Sequence, residues 1–302
     1  MVVPKPICLS RRVGYLAEVI MLLLFFSLFR LMPLDWASAL GSKLGQWIGP
    51  CLKWHKVAAY NLQLAFPEWD TQKRKQTLRA MWNNLGRTFA ETPWLGTRTM
   101  AKRIHISDEV KSTIQQYRDH EAACIFIGGH LANWEIVPWV GKLCDTPITS
   151  IYRHVNNPYV DAVYHKIRKR YCDELQPKGK RGAKALLQTM RKGGQAGLLV
   201  DQKQNDGLKV AFFSHSAATS AAAAEMALRF NASITPIRCI RQQGCNFVVE
   251  IDTLSVSEDD EVETVMLKIN QQLETWITEY PSQWLWVHQR WGKLKELPPI
   301  TS

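Results

Sequence analysis

The longest apolar run in the chain is Val13–Phe29, VGYLAEVIMLLLFFSLF, set between Arg12 and Arg30. It holds 17 residues with one acid, Glu18. At about 1.5 Å per residue it is marginal for a hydrocarbon core of about 30 Å. Three readings fit: an uncleaved membrane helix, a signal peptide or a buried core helix. No small-x-small cleavage site follows soon after. Arg30-Leu31-Met32-Pro33 follows instead, then the amphipathic stretch Trp36–Trp47, suited to an interface. The membrane helix is therefore the preferred reading. Basic residues flank both sides, so the positive-inside rule does not set its orientation.

Residues 36–100 read as mostly helical. Within Thr71–Phe89 the apolar positions Leu78, Met81, Trp82, Leu85 and Phe89 follow a 3.6-residue period. From residue 122 the pattern changes. Ala122–Ile127 is a buried strand ending in Gly128-Gly129. Leu131–Gly141 is helical, Pro147–Tyr152 a strand, and Pro158–Cys172 and Gly182–Lys192 are helices. Gly193-Gly194 stops the last of these. Ala196–Val200 is a third buried strand, closed by Asp201-Gln202. Thr219 or Ser220 caps an alanine-rich helix to Phe230. Strands follow near Ile234–Ile240 and Phe247–Ile251, and Asp259–Glu279 is a long helix. Alternating strands and helices predict an α/β protein, a sheet flanked by helices. Three parts follow: residues 1–35 as a membrane anchor, 36–100 as a helical region, and 101–302 as the α/β domain.

Composition narrows the class. The 302 residues are 46% hydrophobic and 22% charged, an ordinary globular balance. No repeat or low-complexity tract appears. The net charge is +11, and residues 151–195 alone carry eleven Lys/Arg against three Asp/Glu. That segment is either a set of solvated helix faces or a surface for anionic partners. Nucleic acid is not favoured, because no recognisable module accompanies the charge. The seven cysteines are scattered and form no C-x-x-C pair, which suits a reducing compartment and argues against a zinc ribbon.

Candidate chemistry centres on Gly128-Gly129-His130-Leu131-Ala132-Asn133-Trp134-Glu135. A histidine after a buried strand and two glycines stands where α/β proteins place ligands. An imidazole there can take a proton near neutral pH. Five residues of straight helix turn about 500°, so His130 and Glu135 meet only if His130 lies in the loop before the helix. Glu135 would then orient the imidazole. The plainer alternative is a capping histidine and an exposed helical glutamate. Neither a metal motif, a G-x-S-x-G elbow nor a G-x-G-x-x-G loop is present. Asn133 is placed to face the same pocket or to be a polar residue inside a helix.

The His130-x4-Glu135 element resembles the H-x4-D/E motif of the glycerolipid acyltransferase superfamily. The wider pattern is similar to one branch, the lipid A late acyltransferases, which are lauroyl and myristoyl transferases of Gram-negative bacteria. Tyr152-Arg153 with Asn156-Asn157-Pro158 resembles that branch's Y-R-x-x-(N/D)-N-P segment. Leu198–Gln202 resembles its strand ending in D-Q or D-H. Val210–Phe213 with Ala218-Thr219 resembles its V-x-F-F-x4-A-T stretch. Tyr280–Trp291 is similar to its C-terminal Y-P-E-Q-Y-x-W-x-H-R-R-(F/W) signature. The likeness covers nearly the whole chain. Ser214-His215-Ser216 and Gln289 depart from the pattern.

The resemblance implies a mixed sheet of the glycerolipid acyltransferase type. It implies transfer of a fatty acyl group from an acyl carrier protein thioester, or acyl-CoA, to a lipid hydroxyl. There would be no cofactor, no metal and no acyl-enzyme. His130 would be the general base and Glu135 its orienting partner. Arg168 would hold a phosphate or phosphopantetheine, with a solvated helix arginine as the alternative. Asp201 would support Arg168 or the histidine, with a strand-end turn residue as the alternative. Arg153 is a further phosphate contact, and Arg170 a neighbouring candidate. The implied partners are acyl carrier protein, a phosphorylated glycolipid and the inner membrane, with the catalytic domain on the cytoplasmic side. Other acceptors stay open (a phosphatidylinositol mannoside, an ornithine lipid, a lysophospholipid), as does a non-catalytic lipid-binding protein.

Overall fold

A computed structural model describes residues 9–257 and 259–293. Helices come first: α1 (Leu9–Leu31), α2 (Leu34–Ile48), α3 (Trp54–Ala65), α4 (Thr71–Glu91) and the short α5 (Arg98–Ala101). Then β1 (Ile104–Ile106), α6 (Asp108–Asp119), β2 (Cys124–Gly128), α7 (Val137–Leu143), β3 (Ile148–Tyr152), α8 (Pro158–Arg168), β4 (Glu174–Pro177), α9 (Lys180–Arg191) and β5 (Gln195–Leu199) alternate. A hairpin of β6 (Leu208–Phe212) and β7 (His215–Thr219) precedes α10 (Ala222–Phe230), β8 (Ser233–Arg241), β9 (Phe247–Ile251) and α11 (Val262–Glu279).

The seven-stranded sheet runs β1-β9-β8-β2-β5-β3-β4. All its pairings are parallel except β8 with β9, so the sheet is mixed. β2 sits at its centre, and every residue of Cys124–Gly128 is buried. A strand covered on both faces needs a continuous apolar run, and the sequence supplies Cys-Ile-Phe-Ile. Alternate residues serve opposite faces. Ile125 and Ile127 join a core that takes in α3, α4, α10, α11 and Trp276, Trp284 and Trp286. Cys124 and Phe126 join a second core that takes in Trp139, Ile167, Tyr171 and Phe247.

Capping follows local chemistry. Asp70 accepts from Lys73 N at the start of α4, and Ser107 from Val110 N at the start of α6. Asn157 accepts from Tyr159 N and Val160 N ahead of Pro158 in α8. The alanine-rich helix departs from expectation. It starts at Ala222 behind Ala221, with no side-chain cap. Thr219 instead ends β7, where it accepts from Arg290 Nη2 at 2.7 Å. The stretch predicted as one helix from Leu131 differs too. Ala132 has φ +47°, its N–H bonds Gln283 O at 2.9 Å, and helix starts only beyond Asn133, as a 3-10 turn leading into α7.

The helical region at residues 36–100 is built into this frame. α2 and α4 pack backbone to backbone, because a Cβ on Gly45 would lie 2.1 Å from Trp82 O, and one on Gly86 2.1 Å from Gly41 O. This seam sets the far end of α4 over the loop after β2. There Glu91, 0% exposed, receives Arg241 Nη1 at 2.6 Å and Nη2 at 3.0 Å. Ser38 and Asn133 add bonds of 2.7 and 2.9 Å to the same carboxylate. Arg241 also reaches Asn84 and Thr88, at 2.8 and 3.1 Å. Those two residues in turn donate to Ala132 O, at 3.2 and 2.9 Å.

Removing one member of a buried ion pair leaves the other charge unsolvated, which costs about 3–5 kcal/mol. Arg241→Met is therefore expected to lower unfolding free energy by about that amount. Adding Glu91→Leu should recover part of it. Denaturant titration in detergent reads both, and a single-variant loss under about 1 kcal/mol contradicts the burial argument.

Candidate functional site

The parallel strands end together at one edge of the sheet, and a cavity of about 660 Å³ lies there. His130 lines it from the loop after β2. Asp201 follows β5, the strand next to β2, and is fully buried behind it. One carboxylate oxygen of Asp201 is 2.7 Å from His130 Nδ1. The other accepts from His130 N at 2.7 Å and from Trp284 Nε1 at 2.8 Å. Burial alone would push this carboxyl up. The charge of His130, its two hydrogen bonds and that of Trp284 outweigh burial and bring it down to about 2. An ionised carboxylate only accepts, so Nδ1 carries the proton toward Asp201. In the neutral ring Nε2 then carries the lone pair, which accepts from Gln202 Nε2 at 3.1 Å.

Glu135 is placed differently from expectation. His130 does lie in the loop ahead of the helix, but the described hydrogen bonds of Glu135 go elsewhere. Arg168 binds both of its oxygens, through Nε at 2.9 Å and through Nη2. Tyr171 donates to it at 2.6 Å. Burial again raises this carboxyl, and Arg168 and Tyr171 more than offset it, so it stays below its ordinary range. Arg168 is raised in turn, because its bond to Glu135 outweighs its own burial. The result is a charged, bidentate clamp in the cavity wall.

Arg153 and Arg168 both line the cavity. Asn133 and Arg170 are not among its lining residues. Asn133 turns to Glu91, and Arg170 donates to Pro93 O at 3.3 Å. Arg168 is the last residue of α8 and Arg170 lies in the turn beyond it, so one arginine of Ile-Arg-Lys-Arg lines the cavity and the other does not. The groups that sequence reasoning passed over are Gln202, Tyr171, Trp284 and His288. His288 Nε2 accepts from Lys203 N at 2.9 Å. Burial, joined by the charges of His130, Arg290 and Arg153, brings His288 down to about 4 despite the opposing pull of Asp201. The signal for Trp284 and His288 is the terminal Trp-Leu-Trp-Val-His run within the Tyr280–Trp291 block. Trp284 packs and hydrogen-bonds at once.

The cavity draws its walls from both cores. On one sheet face lie Phe126, Ile148, Ser150, Gly197 and Leu199, beneath the Glu135–Arg168–Tyr171 clamp. On the other lie Ile151, Leu198, Leu186 and Ala223, under α9 and α10. The cavity thus has two apolar arms meeting at the sheet edge. Gly197 keeps the first arm open, since a Cβ there would sit 3.1 Å from Ile148 Cγ2 and 3.3 Å from Ser150 Oγ. Its rim is basic, with Arg153, Lys178 and Lys203. Among the described residues no group of His, Cys, Asp or Glu is placed to hold a metal ion.

A His–Asp pair with a buried carboxylate, an arginine–carboxylate clamp and apolar walls thus meet in one cavity. The family described as bacterial lipid A biosynthesis acyltransferase matches residues 10–293. The chain belongs to that family. A lipid A biosynthesis acyltransferase of Haemophilus influenzae is 26% identical over 277 residues, covering 88% of this chain and 84% of the relative. The lipid A biosynthesis palmitoleoyltransferase of Escherichia coli is 22% identical over 263 residues, 83% of each chain. A lipid A biosynthesis acyltransferase of Shigella flexneri matches to the same extent. In this lipid A acyltransferase family member the Tyr-Arg and Asp-Gln blocks place Tyr152, Arg153 and Gln202 on the cavity lining.

Asp201→Asn should lower kcat about 10³–10⁴-fold, with KM for both substrates changed only a few-fold, because it removes the acceptor that fixes the imidazole tautomer. An unchanged kcat contradicts a part for this pair in proton transfer. Acid sensitivity carries a second expectation. His288 titrates lower in the folded state than in the unfolded chain, so its contribution is present above about pH 6.5 and fades as pH falls toward about 4. Melting temperature followed over that window should fall less steeply in His288→Gln than in wild type.

Proposed function

We propose that the chain moves a fatty acyl group from an acyl carrier protein thioester to a hydroxyl of a lipid A precursor. The carrying observation is the His130–Asp201 pair, with Nδ1 held at 2.7 Å and Nε2 turned to a cavity with apolar arms. As the acceptor oxygen attacks the thioester carbonyl, His130 Nε2 takes the hydroxyl proton, and the imidazolium is stabilised by Asp201. The tetrahedral intermediate collapses with cleavage of the C–S bond. The proton passes from His130 to the departing thiolate, which restores the neutral ring. No acyl-enzyme and no cofactor are required.

Glu135 belongs to the binding wall rather than to the proton relay. By holding Arg168 charged and oriented, it presents a guanidinium edge to an anionic substrate group, with Arg153 as a further contact. The donor chain lies in the arm under this clamp, whose floor is Ile148, Ser150 and Gly197. The basic rim suits an acidic carrier protein and a phosphorylated glycolipid, both of which it would draw in by charge. The thioester donor is cytoplasmic, so the catalytic domain works on the cytoplasmic side of the inner membrane.

The test is acyl transfer by purified protein in detergent, with acyl carrier protein thioesters of graded chain length and the sugar-bearing lipid A precursor. Mass spectrometry should show the gain of one acyl chain, abolished in His130→Ala. Transfer to a lysophospholipid alone would move the acceptor assignment elsewhere, and no transfer to any acceptor would refute the reading. In the same assay Gly197→Val should shift the preferred donor to shorter chains. An unchanged profile would place the donor chain in the other arm.

A further inference from the structure

α1 is apolar on one side and packed on the other. Val19, Phe26 and Phe29 are buried against the domain. Leu16, Ile20, Leu24, Leu28 and Leu31 are exposed along the opposite arc. The packed side is held along most of its length. Asn157 Nδ2 donates to Tyr15 O and to Glu18 Oε2, both at 2.9 Å. Phe26 meets the Tyr164 ring of α8 at 6.0 Å, and Phe25 meets Phe89 of α4 at 5.1 Å. Trp94 Nε1 donates to Phe29 O at 3.3 Å, and the Arg30 guanidinium lies 4.1 Å from the Trp94 ring centre.

From Tyr15 to Arg30 there are fifteen helical rises, about 22 Å at 1.5 Å each. A helix crossing the bilayer would place that whole length, with everything bonded to its flank, at hydrocarbon depth. The flank is α8, and α8 and the turn after it expose Lys166, Lys169 and Arg170. Charges at that depth are strongly disfavoured. Glu18, the one acid in the run, is exposed on the same helix, and one of its carboxylate oxygens accepts from Asn157.

Exposed Trp36, Trp47 and Trp54 follow α1, and Arg11, Arg12, Lys43 and Lys53 stand beside these apolar surfaces. Aromatic rings and basic side chains are what the headgroup layer of an anionic membrane selects. Asn157 also closes the loop after β3, whose Arg153, His154 and Val155 line the cavity. The first turns of α1 therefore adjoin the cavity mouth.

We propose that α1 does not cross the bilayer. It lies in one leaflet beside the domain, its exposed arc among the acyl chains, with its start and the cavity mouth at the headgroup level of the same membrane face. A lipid acceptor then reaches the cavity from the leaflet without passing through water. This topology stands independently of the acyl-transfer reading, since it is measured without substrate.

Full-length chain carrying an epitope before Met1 and another after Ser302 is placed in sealed right-side-out and inverted membrane vesicles. Both epitopes should be cleaved by added protease in one vesicle type and both protected in the other. Cleavage of the two epitopes in opposite vesicle types overturns the proposal. Spin labels at Val13, Leu24 and Leu31 in liposomes containing anionic lipid give a second readout. Equal, shallow depths are expected. A deep Leu24 between two interfacial ends overturns it.

Discussion

The buried Glu91–Arg241 ion pair is the constraint on which the rest of the site depends. A bidentate pair in a low-dielectric interior is stable only when every remaining donor and acceptor is met. Here the partners that meet them come from α2, α4, the loop after β2 and β8. Satisfying the pair therefore fixes these elements relative to one another. The peptide of Ala132 is drawn into the same network. A left-handed φ in an alanine is disfavoured by itself, and the bonds from Asn84 and Thr88 to its carbonyl and from its N–H to Gln283 O hold it in place. His130 lies two residues upstream of that fixed peptide. The imidazole is thus aimed by backbone anchored on one side and by Asp201 on the other.

Electrostatics around the cavity divide into two units that do not share hydrogen bonds. Asp201 serves His130, while Glu135 serves Arg168 and Tyr171. Both carboxylates are buried, and both are kept ionised by partners whose pull exceeds the cost of burial. The first unit suits proton transfer, because its histidine keeps one nitrogen turned outward. The second suits binding, because its charge is fixed and does not depend on pH in the physiological range.

Much of the architecture was legible in the chain. β2 and β5 announce themselves as short apolar runs, and α4 by its period. The edges were harder. β1 and β4 are short edge strands with mixed polarity, and the β6–β7 hairpin turns through Phe213-Ser214 at positive φ without the usual glycine or asparagine. At the site, the position of His130 could be read from the strand and glycines before it. The partner of its Nδ1 could not, because 71 residues of chain separate His130 from Asp201 and only the pairing of β2 with β5 brings them together. The nearer Glu135 was the local choice, and the long-range clamp with Arg168 claims it. Helix was expected from Leu131 because nothing local in Leu-Ala-Asn-Trp forbids it; the bonds that stop it come from α4 and the C-terminal segment.

The two apolar arms bear on how such a site can change over time. The groups arranged around protons and charge hang from loops and from the turn after α8, whereas the arm walls are side chains of β3 and β5 set deeper in the sheet. Strand positions 148, 150 and 197 touch one another, so a change of size at one is met by its neighbours in the wall rather than by the loop that holds His130. Selectivity for the shape of a hydrophobic substrate can therefore drift among relatives while the reacting centre stays still. Low overall identity is then compatible with one retained chemistry.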